Sequence, residues 1–181
     1  PLYYFLRQGA YLGAGLIAAI ACLATPLRAW ERAALPLLAV ALLLLSAVLV
    51  PGIGRTVNGS TRWLPLGPVN LQVSEPARLL VLIFISGYVA RHGEELAASL
   101  GGFLKPMAFV FAACALLLME PDFGAATVLL AIALGVLFVG GARLRYFFGL
   151  LSLAALAMAG LAVASPYRMR RLTAFLDPWA D

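Results

Sequence analysis

Apolar residues fill this chain in long blocks, and polar residues gather between the blocks. A helix that crosses a bilayer needs about 20 mostly apolar residues. Six blocks are candidates: Gly9–Ala24, Ala34–Val50, Pro76–Ala90, Pro106–Met119, Phe123–Val139 and Tyr146–Ala164. Several fall short of a full crossing, so their helices are expected to run on into the flanks. The blocks are rich in Leu and Ala and lack strand-like alternation, which favours helices over a barrel. Glu120-Pro121-Asp122 alone separates the fourth block from the fifth, which predicts a tight turn. The pattern predicts an all-α polytopic membrane protein. It forms a single transmembrane helical domain over residues 1–181, with outer loops at about 51–75 and 165–181.

Composition agrees with the pattern. The chain is 64% hydrophobic and 12% charged, with a mean hydropathy of +0.99, which excludes an ordinary soluble domain. The net charge is +5, and of the thirteen basic residues only Lys105 is a lysine. Arginine suits forked contacts to phosphate and carboxylate, so the bias hints at anionic partners; a GC-rich genome is the plainer explanation. Cys22 and Cys114 lie inside apolar blocks and read as small core residues. His92 has neither a cysteine nor a second histidine near it, and reads as a solvated loop residue. Pro1 is not a native start and no signal peptide is visible, so a fragment of a longer protein is expected.

Alternating spans sort the connections onto two sides. One side carries Arg28, Arg32, Arg91, Lys105, Arg143 and Arg145 in or beside short loops. The other carries Arg7, Arg55, Arg62, Arg168, Arg170 and Arg171, mostly in longer loops with Trp, Pro, Tyr and Asn. The count is even, so the positive-inside rule alone does not orient the chain. If the first side is cytoplasmic, the second carries more positive charge than insertion requires, which fits an anionic ligand at the outer surface. Gly9-x-x-x-Gly13 is spaced for close helix packing. The chain has no phosphate-binding glycine motif, no nucleophile triad and no zinc spacing, and nothing in it points to nucleic acid.

A few polar positions need a reason. In Ser74-Glu75-Pro76-Ala77-Arg78, Ser74 is placed to cap the third helix, and Pro76 suits its first turn. Glu75 and Arg78, three residues apart, share a helix face and can pair. Arg78 lies at or below the membrane surface, where a cation usually faces a cavity or a partner. Asp122 suits the cap of the fifth helix. Glu120 falls in the last turn of the fourth, where the dipole disfavours an acid, and this marks it as a functional candidate. Asn58-Gly59 signals a tight turn, and Thr61 to Gln72 reads as a structured amphipathic loop in which Arg62 beside Trp63 can hold a phosphate. Arg168, Arg170 and Arg171 follow the sixth block, as in a short interfacial helix.

Taken together, Asn58-Gly59-Ser60-Thr61-Arg62-Trp63, Gln72-Val73-Ser74-Glu75-Pro76-Ala77-Arg78, Glu120-Pro121-Asp122-Phe123-Gly124 and the tail Tyr167 to Trp179 resemble the SEDS family of bacterial peptidoglycan polymerases. The tail looks more like the division branch than the elongation branch. Val73 stands where the family usually has Pro, and Arg78 where it has Lys. The resemblance covers nearly the whole chain. It implies a portion, roughly the second to seventh spans, of a fold with about ten. The family's catalytic aspartate motif, of the Glu-Ala-His-Thr-Asp-Phe type, is not in this chain, so no catalytic base is assigned to Asp177 or Asp181.

The resemblance implies a glycosyltransferase that polymerises lipid II at the division septum, in the inner membrane. Arg62, Arg78 and either Arg168 or Arg171 would bind pyrophosphate. Trp63, Gln72 and Ser74 would line the same cavity. Glu75, Glu120 and Asp122 would order the cations or hold a metal, with Mg2+ or Mn2+ as the expected ion and no organic cofactor. The implied partners are lipid II, membrane lipids, a class B penicillin-binding transpeptidase and regulatory division proteins of the FtsQ, FtsL and FtsB type. The rival readings are a lipid II flippase and a non-catalytic division scaffold.

Overall fold

The computed structural model describes residues 2–57, 60–66 and 69–163. Six helices and a small sheet follow in the order α1 (Leu2–Ala24), α2 (Leu27–Val48), β1 (Arg55–Val57), β2 (Ser60–Leu66), β3 (Val69–Gln72), α3 (Ser74–Ala98), α4 (Leu100–Met119), α5 (Phe123–Val139) and α6 (Leu144–Val163). Each expected span is present as a helix, and five of them begin earlier than the apolar blocks do. Arg, Glu and Lys are good helix formers, so a helix continues after its hydrophobic run ends. Among the described residues three helices are long and apolar enough to cross a membrane by themselves, over Phe5–Ala24, Leu27–Val48 and Leu100–Met119.

The core lies among α2, α3, α4 and α5. On α2 the buried positions are Ala34, Leu38, Ala41, Leu45 and Val48, steps of four and three that make one stripe. The stripe faces α3, where Ala77, Val81, Phe84, Ile85 and Tyr88 are buried. Lipid is as apolar as leucine, so burial against a neighbouring helix gains little hydrophobic energy, and close packing carries the association. Small residues permit it. A Cβ on Gly87 would sit 3.0 Å from the Ala34 Cβ, and one on Gly140 would come 2.5 Å from Val89 Cγ1. Side chains such as Leu35, Leu43, Leu79 and Phe138 point outward, as a lipid-facing surface requires.

α1 departs from expectation. It is exposed along its length, and a Cβ on Gly9, Gly13 or Gly15 would meet nothing within 4 Å. The glycine spacing therefore serves no helix contact among the described residues. Cys114 is buried in α4 as expected, whereas Cys22 is exposed near the end of α1.

The segment read as a structured loop is an antiparallel three-stranded sheet in the order β1-β2-β3. Arg55 pairs with Trp63, Val57 with Ser60, and Trp63 with Gln72. The Thr56 and Thr61 hydroxyls bond across the first pair at 2.7 Å. Pro65 and the short runs hid these strands from a reading based on apolar blocks. The chain enters β1 past the end of α2, where a Cβ on Gly54 would collide with the Val48 carbonyl, so only glycine fits.

The opposite end of the bundle is tied by different contacts. Arg143 Nε donates to the Ala97 carbonyl at 2.6 Å, which joins the α5–α6 connection to the end of α3. Tyr88 donates to the Gly102 carbonyl at 2.9 Å, and Ser99 caps α4 by accepting from Gly102 N at 2.9 Å. These contacts bring together two of the short basic connections that the alternation of spans put on one side. His92 is exposed, but it sits at a kink inside α3 and stacks on Tyr88 with ring centroids 4.7 Å apart, not in a free loop. Gly102 presses against the Glu95 backbone, which cannot move aside. Gly102→Ala should destabilise the full-length protein by about 1–3 kcal/mol, the usual cost of overpacking. Thermal denaturation in detergent checks this; an unchanged transition would mean that the α3–α4 corner is looser than this packing.

Candidate functional site

β2 reaches the α4–α5 turn with one face. Residues two apart on a strand share a face, and Ser60, Arg62 and Leu64 form such a set. Ser60 Oγ donates to the Glu120 carbonyl at 2.5 Å. Arg62 Nη1 lies 3.4 Å from Asp122 Oδ2. Leu64 packs against the core. The Arg62 carbonyl accepts from Val73 N at 3.1 Å, so the strand that carries the arginine is also fixed to the start of α3.

Asp122 caps α5 as its position suggested: its Oδ1 accepts from Ala125 N at 3.1 Å. Glu120 is the residue immediately after α4 and is fully buried. Neither of its carboxyl oxygens has a hydrogen-bond partner, and Asp122 Oδ2 and Arg62 Nε are buried without one too. Burial, and then the neighbouring Asp122 carboxylate, push the Glu120 carboxyl up to about 8 against the opposing pull of Arg62.

A second group sits where β3 runs into α3. Glu75 and Arg78 form the expected ion pair on one helix face. Ser74 does not cap that helix: Val73 is the N-cap residue, no side chain caps it, and the buried Ser74 Oγ instead accepts from Gln72 Nε2 at 3.1 Å. A buried hydroxyl already engaged by Gln72 is not free to turn back onto the helix end. Trp63 lies opposite Gln72 across the sheet, and its Nε1 is buried without a partner. Arg168 and Arg171, with the interfacial helix expected around them, lie outside the described residues, as does the Asn58-Gly59 turn.

The structure thus brings Arg62, Glu120 and Asp122 together, and separately joins Glu75 to Arg78 and Gln72 to Ser74. Sequence reasoning missed Ser60, whose hydroxyl links the sheet to the turn. The alternation Ser60, Arg62, Leu64 was the available signal. The donor set does not fit a divalent ion held by the protein alone. Among the described residues no three His, Cys, Asp or Glu side chains converge, and Asp122 already faces a guanidinium.

A family model described as Cell cycle protein, covering FtsW, RodA and SpoVE, matches residues 1–181. The chain belongs to this family. It is 55% identical over 181 residues to a probable peptidoglycan glycosyltransferase FtsW of Thioalkalivibrio sulfidiphilus, and the match covers 100% of this chain and 45% of that protein. A protein of the same name from Legionella pneumophila is 48% identical over 181 residues, covering 100% of this chain and 46% of the relative. The chain therefore spans about half the length of these relatives. Among solved structures, Thermus thermophilus rod shape determining protein RodA superposes with a TM-score of 0.70 at 34% identity, over 83% of this chain and 49% of RodA. A chain from a peptidoglycan synthase complex that coordinates polymerization and crosslinking gives a TM-score of 0.75 at 33% identity, over 97% of this chain and 52% of that one. The SEDS resemblance and the polytopic helical fold both stand on these matches.

Asp122 caps α5 and faces Arg62, and the two roles separate by substitution. Asp122→Ala should destabilise the full-length protein by about 1–2 kcal/mol through loss of the cap, and Asp122→Asn by less, because the amide oxygen still accepts from Ala125 N. Chemical denaturation of the two variants checks the order. Equal losses would assign the whole effect to the ion pair.

Proposed function

We propose that this chain works as part of a peptidoglycan glycosyltransferase that polymerises lipid II into glycan strands at the division septum. Whole-chain identity to proteins named probable peptidoglycan glycosyltransferase FtsW supports the reaction class. The observation that carries the reading within the chain is the position of Arg78. It stands near the start of α3, next to the sheet, and a groove of about 560 Å³ begins one residue later. Leu79, Leu80, Leu82 and Ile83 line that groove with Leu27 and Trp30 of α2. The groove runs along α3 from Leu79, next to Arg78, to Ala90, with Cys22 and Glu31 also in its wall, and a cation beside one end of it suits a pyrophosphate carried on a lipid chain.

In this reaction a sugar hydroxyl attacks the anomeric carbon of the lipid-linked glycan. The bond from that carbon to the pyrophosphate breaks, and the pyrophosphate leaves with the electron pair. A carboxylate takes the hydroxyl proton; the described residues include no assigned base. Cations lower the barrier by stabilising charge on the leaving group. Arg78 is the more available of the two, because its partner Glu75 is largely exposed and an exposed pair holds by only about 0–1 kcal/mol. Arg62 faces the buried Asp122 and is the more fixed. A Mg2+ or Mn2+ ion, if the reaction uses one, would supply further charge neutralisation at the leaving pyrophosphate.

The partners that fit are a class B penicillin-binding transpeptidase, in keeping with the polymerization and crosslinking complex among the structural neighbours, and division regulators of the FtsQ, FtsL and FtsB type. The location that follows is the inner membrane at the division site.

Lipid II polymerisation by the full-length protein with its transpeptidase partner tests the reading, with a moenomycin control against contaminating polymerases. Arg78→Ala should abolish glycan chains while insertion and partner binding persist, and Glu75→Gln should lower chain synthesis by up to about fivefold, the scale of an exposed ion pair. Normal synthesis by Arg78→Ala would sink the pyrophosphate role. No chains from a folded, partner-bound wild type would shift the reading to lipid II transport.

A further inference from the structure

Glu120 and Asp122 are the buried acids among the described residues, and they stand two apart in one turn. One cation meets them there, Arg62. Between them the acids present three buried oxygens without a hydrogen-bond partner: both of Glu120, and Oδ2 of Asp122. The unpartnered donor beside them is Arg62 Nε. Two buried carboxylates facing one guanidinium carry an uncompensated charge, which burial makes unfavourable. A proton on one acid removes that charge and converts one surplus acceptor into a donor.

Asp122 is the acid that stays ionised. Its Oδ1 accepts the backbone N–H of Ala125, and its Oδ2 lies 3.4 Å from Arg62 Nη1. Both contacts favour a carboxylate. Glu120 has neither. Among the described residues, its hydrogen bond to the sheet runs through its backbone carbonyl, which accepts from Ser60 Oγ. We propose that Glu120 is held as a neutral carboxylic acid, so that Asp122 alone meets Arg62 as a carboxylate, and that Glu120 is thereby a positioning residue for the seat of β2 on the α4–α5 turn. The inference stands on the packing of sheet and turn, independently of the glycosyltransferase reading.

The charged groups acting on Glu120 are Asp122 from its own turn and Arg62 from β2, and burial outweighs both. With the folded-state value raised from 4.5 to about 8, the unfolded chain releases this proton first as pH rises. Stability from this group is then fully present below the ordinary carboxylate range. It declines by up to about tenfold in the folding equilibrium constant per pH unit, and levels off above the folded value. Ionisation would leave the cluster with a net charge of −1 and loosen the sheet.

The test is thermal denaturation of the full-length protein in detergent from about pH 5 to 9, for wild type, Glu120→Gln and Glu120→Ala. Wild type should lie nearest Glu120→Gln at the acid end and fall progressively further below it until about pH 8, because the amide has no proton to lose. Glu120→Ala should be less stable than Glu120→Gln by a similar margin at every pH, the mark of lost packing alone. Parallel wild-type and Glu120→Gln curves would overturn the inference. Should Glu120→Gln fail to fold, NMR of wild type labelled with 13C at the glutamate carboxyls decides. One protonated carboxyl that titrates near pH 8 supports the inference, and glutamates that are all ionised at pH 7 refute it.

Discussion

The sheet depends on a single strand face meeting a single turn. Ser60 and Arg62 point the same way from β2, and both find partners in Glu120-Pro121-Asp122. They join Leu64, packed on the core, and the Arg62 carbonyl, bonded to Val73 N, in holding the sheet to the bundle. Its strands are short, and a few strands with no packed face are marginal alone. The two contacts differ in kind. The hydroxyl-to-carbonyl bond is neutral and short. The Arg62–Asp122 pair is half-buried, so its attraction is offset by the cost of removing charge from water. Specificity of placement, more than raw stability, is what such a pair gives. It fixes which residues of the sheet face the bundle and therefore where Trp63 and Gln72 lie.

The bundle below solves a different problem. Backbone groups in a hydrocarbon must be satisfied within their own segment, which restricts spans to helices. Irregular backbone is gathered at the two ends, and each end has its own ties. At one end the sheet closes over the α4–α5 turn; at the other, Arg143 and Tyr88 bond to carbonyls around the α3–α4 corner. Between the ends, glycine and alanine let α2, α3 and α5 approach closely. α1 takes no part in this close packing, and reaches the groove beside α2 and α3 only near its end, at Cys22.

The groove and the polar end belong together through α3. Arg78 and Leu79 are consecutive, so the helix passes from an ion pair to a lipid-facing groove within one residue. An amphiphile with an anionic head and a long apolar tail suits that junction. Glu120 does not line this groove; it is buried in the turn beneath β2.

The sequence by itself determined the helices, their number and their order, because a run of apolar residues between polar breaks has one solution in a bilayer. It also determined the Asp122 cap and the Glu75–Arg78 pair, since both are local and follow from spacing along a single helix. The motifs were enough to indicate the family. Only the tertiary structure decided that residues 55–72 form a sheet, that Ser74 bonds to Gln72 and not to its own helix end, and that Arg62 faces Asp122 across 60 positions of chain. Long-range pairing leaves no periodic trace in one segment, and short strands interrupted by Pro65 give too little alternation to read. Burial of Glu120 was equally invisible. The sequence marked Glu120 as a functional candidate, but its burial comes from a strand that lies 60 positions away in the chain.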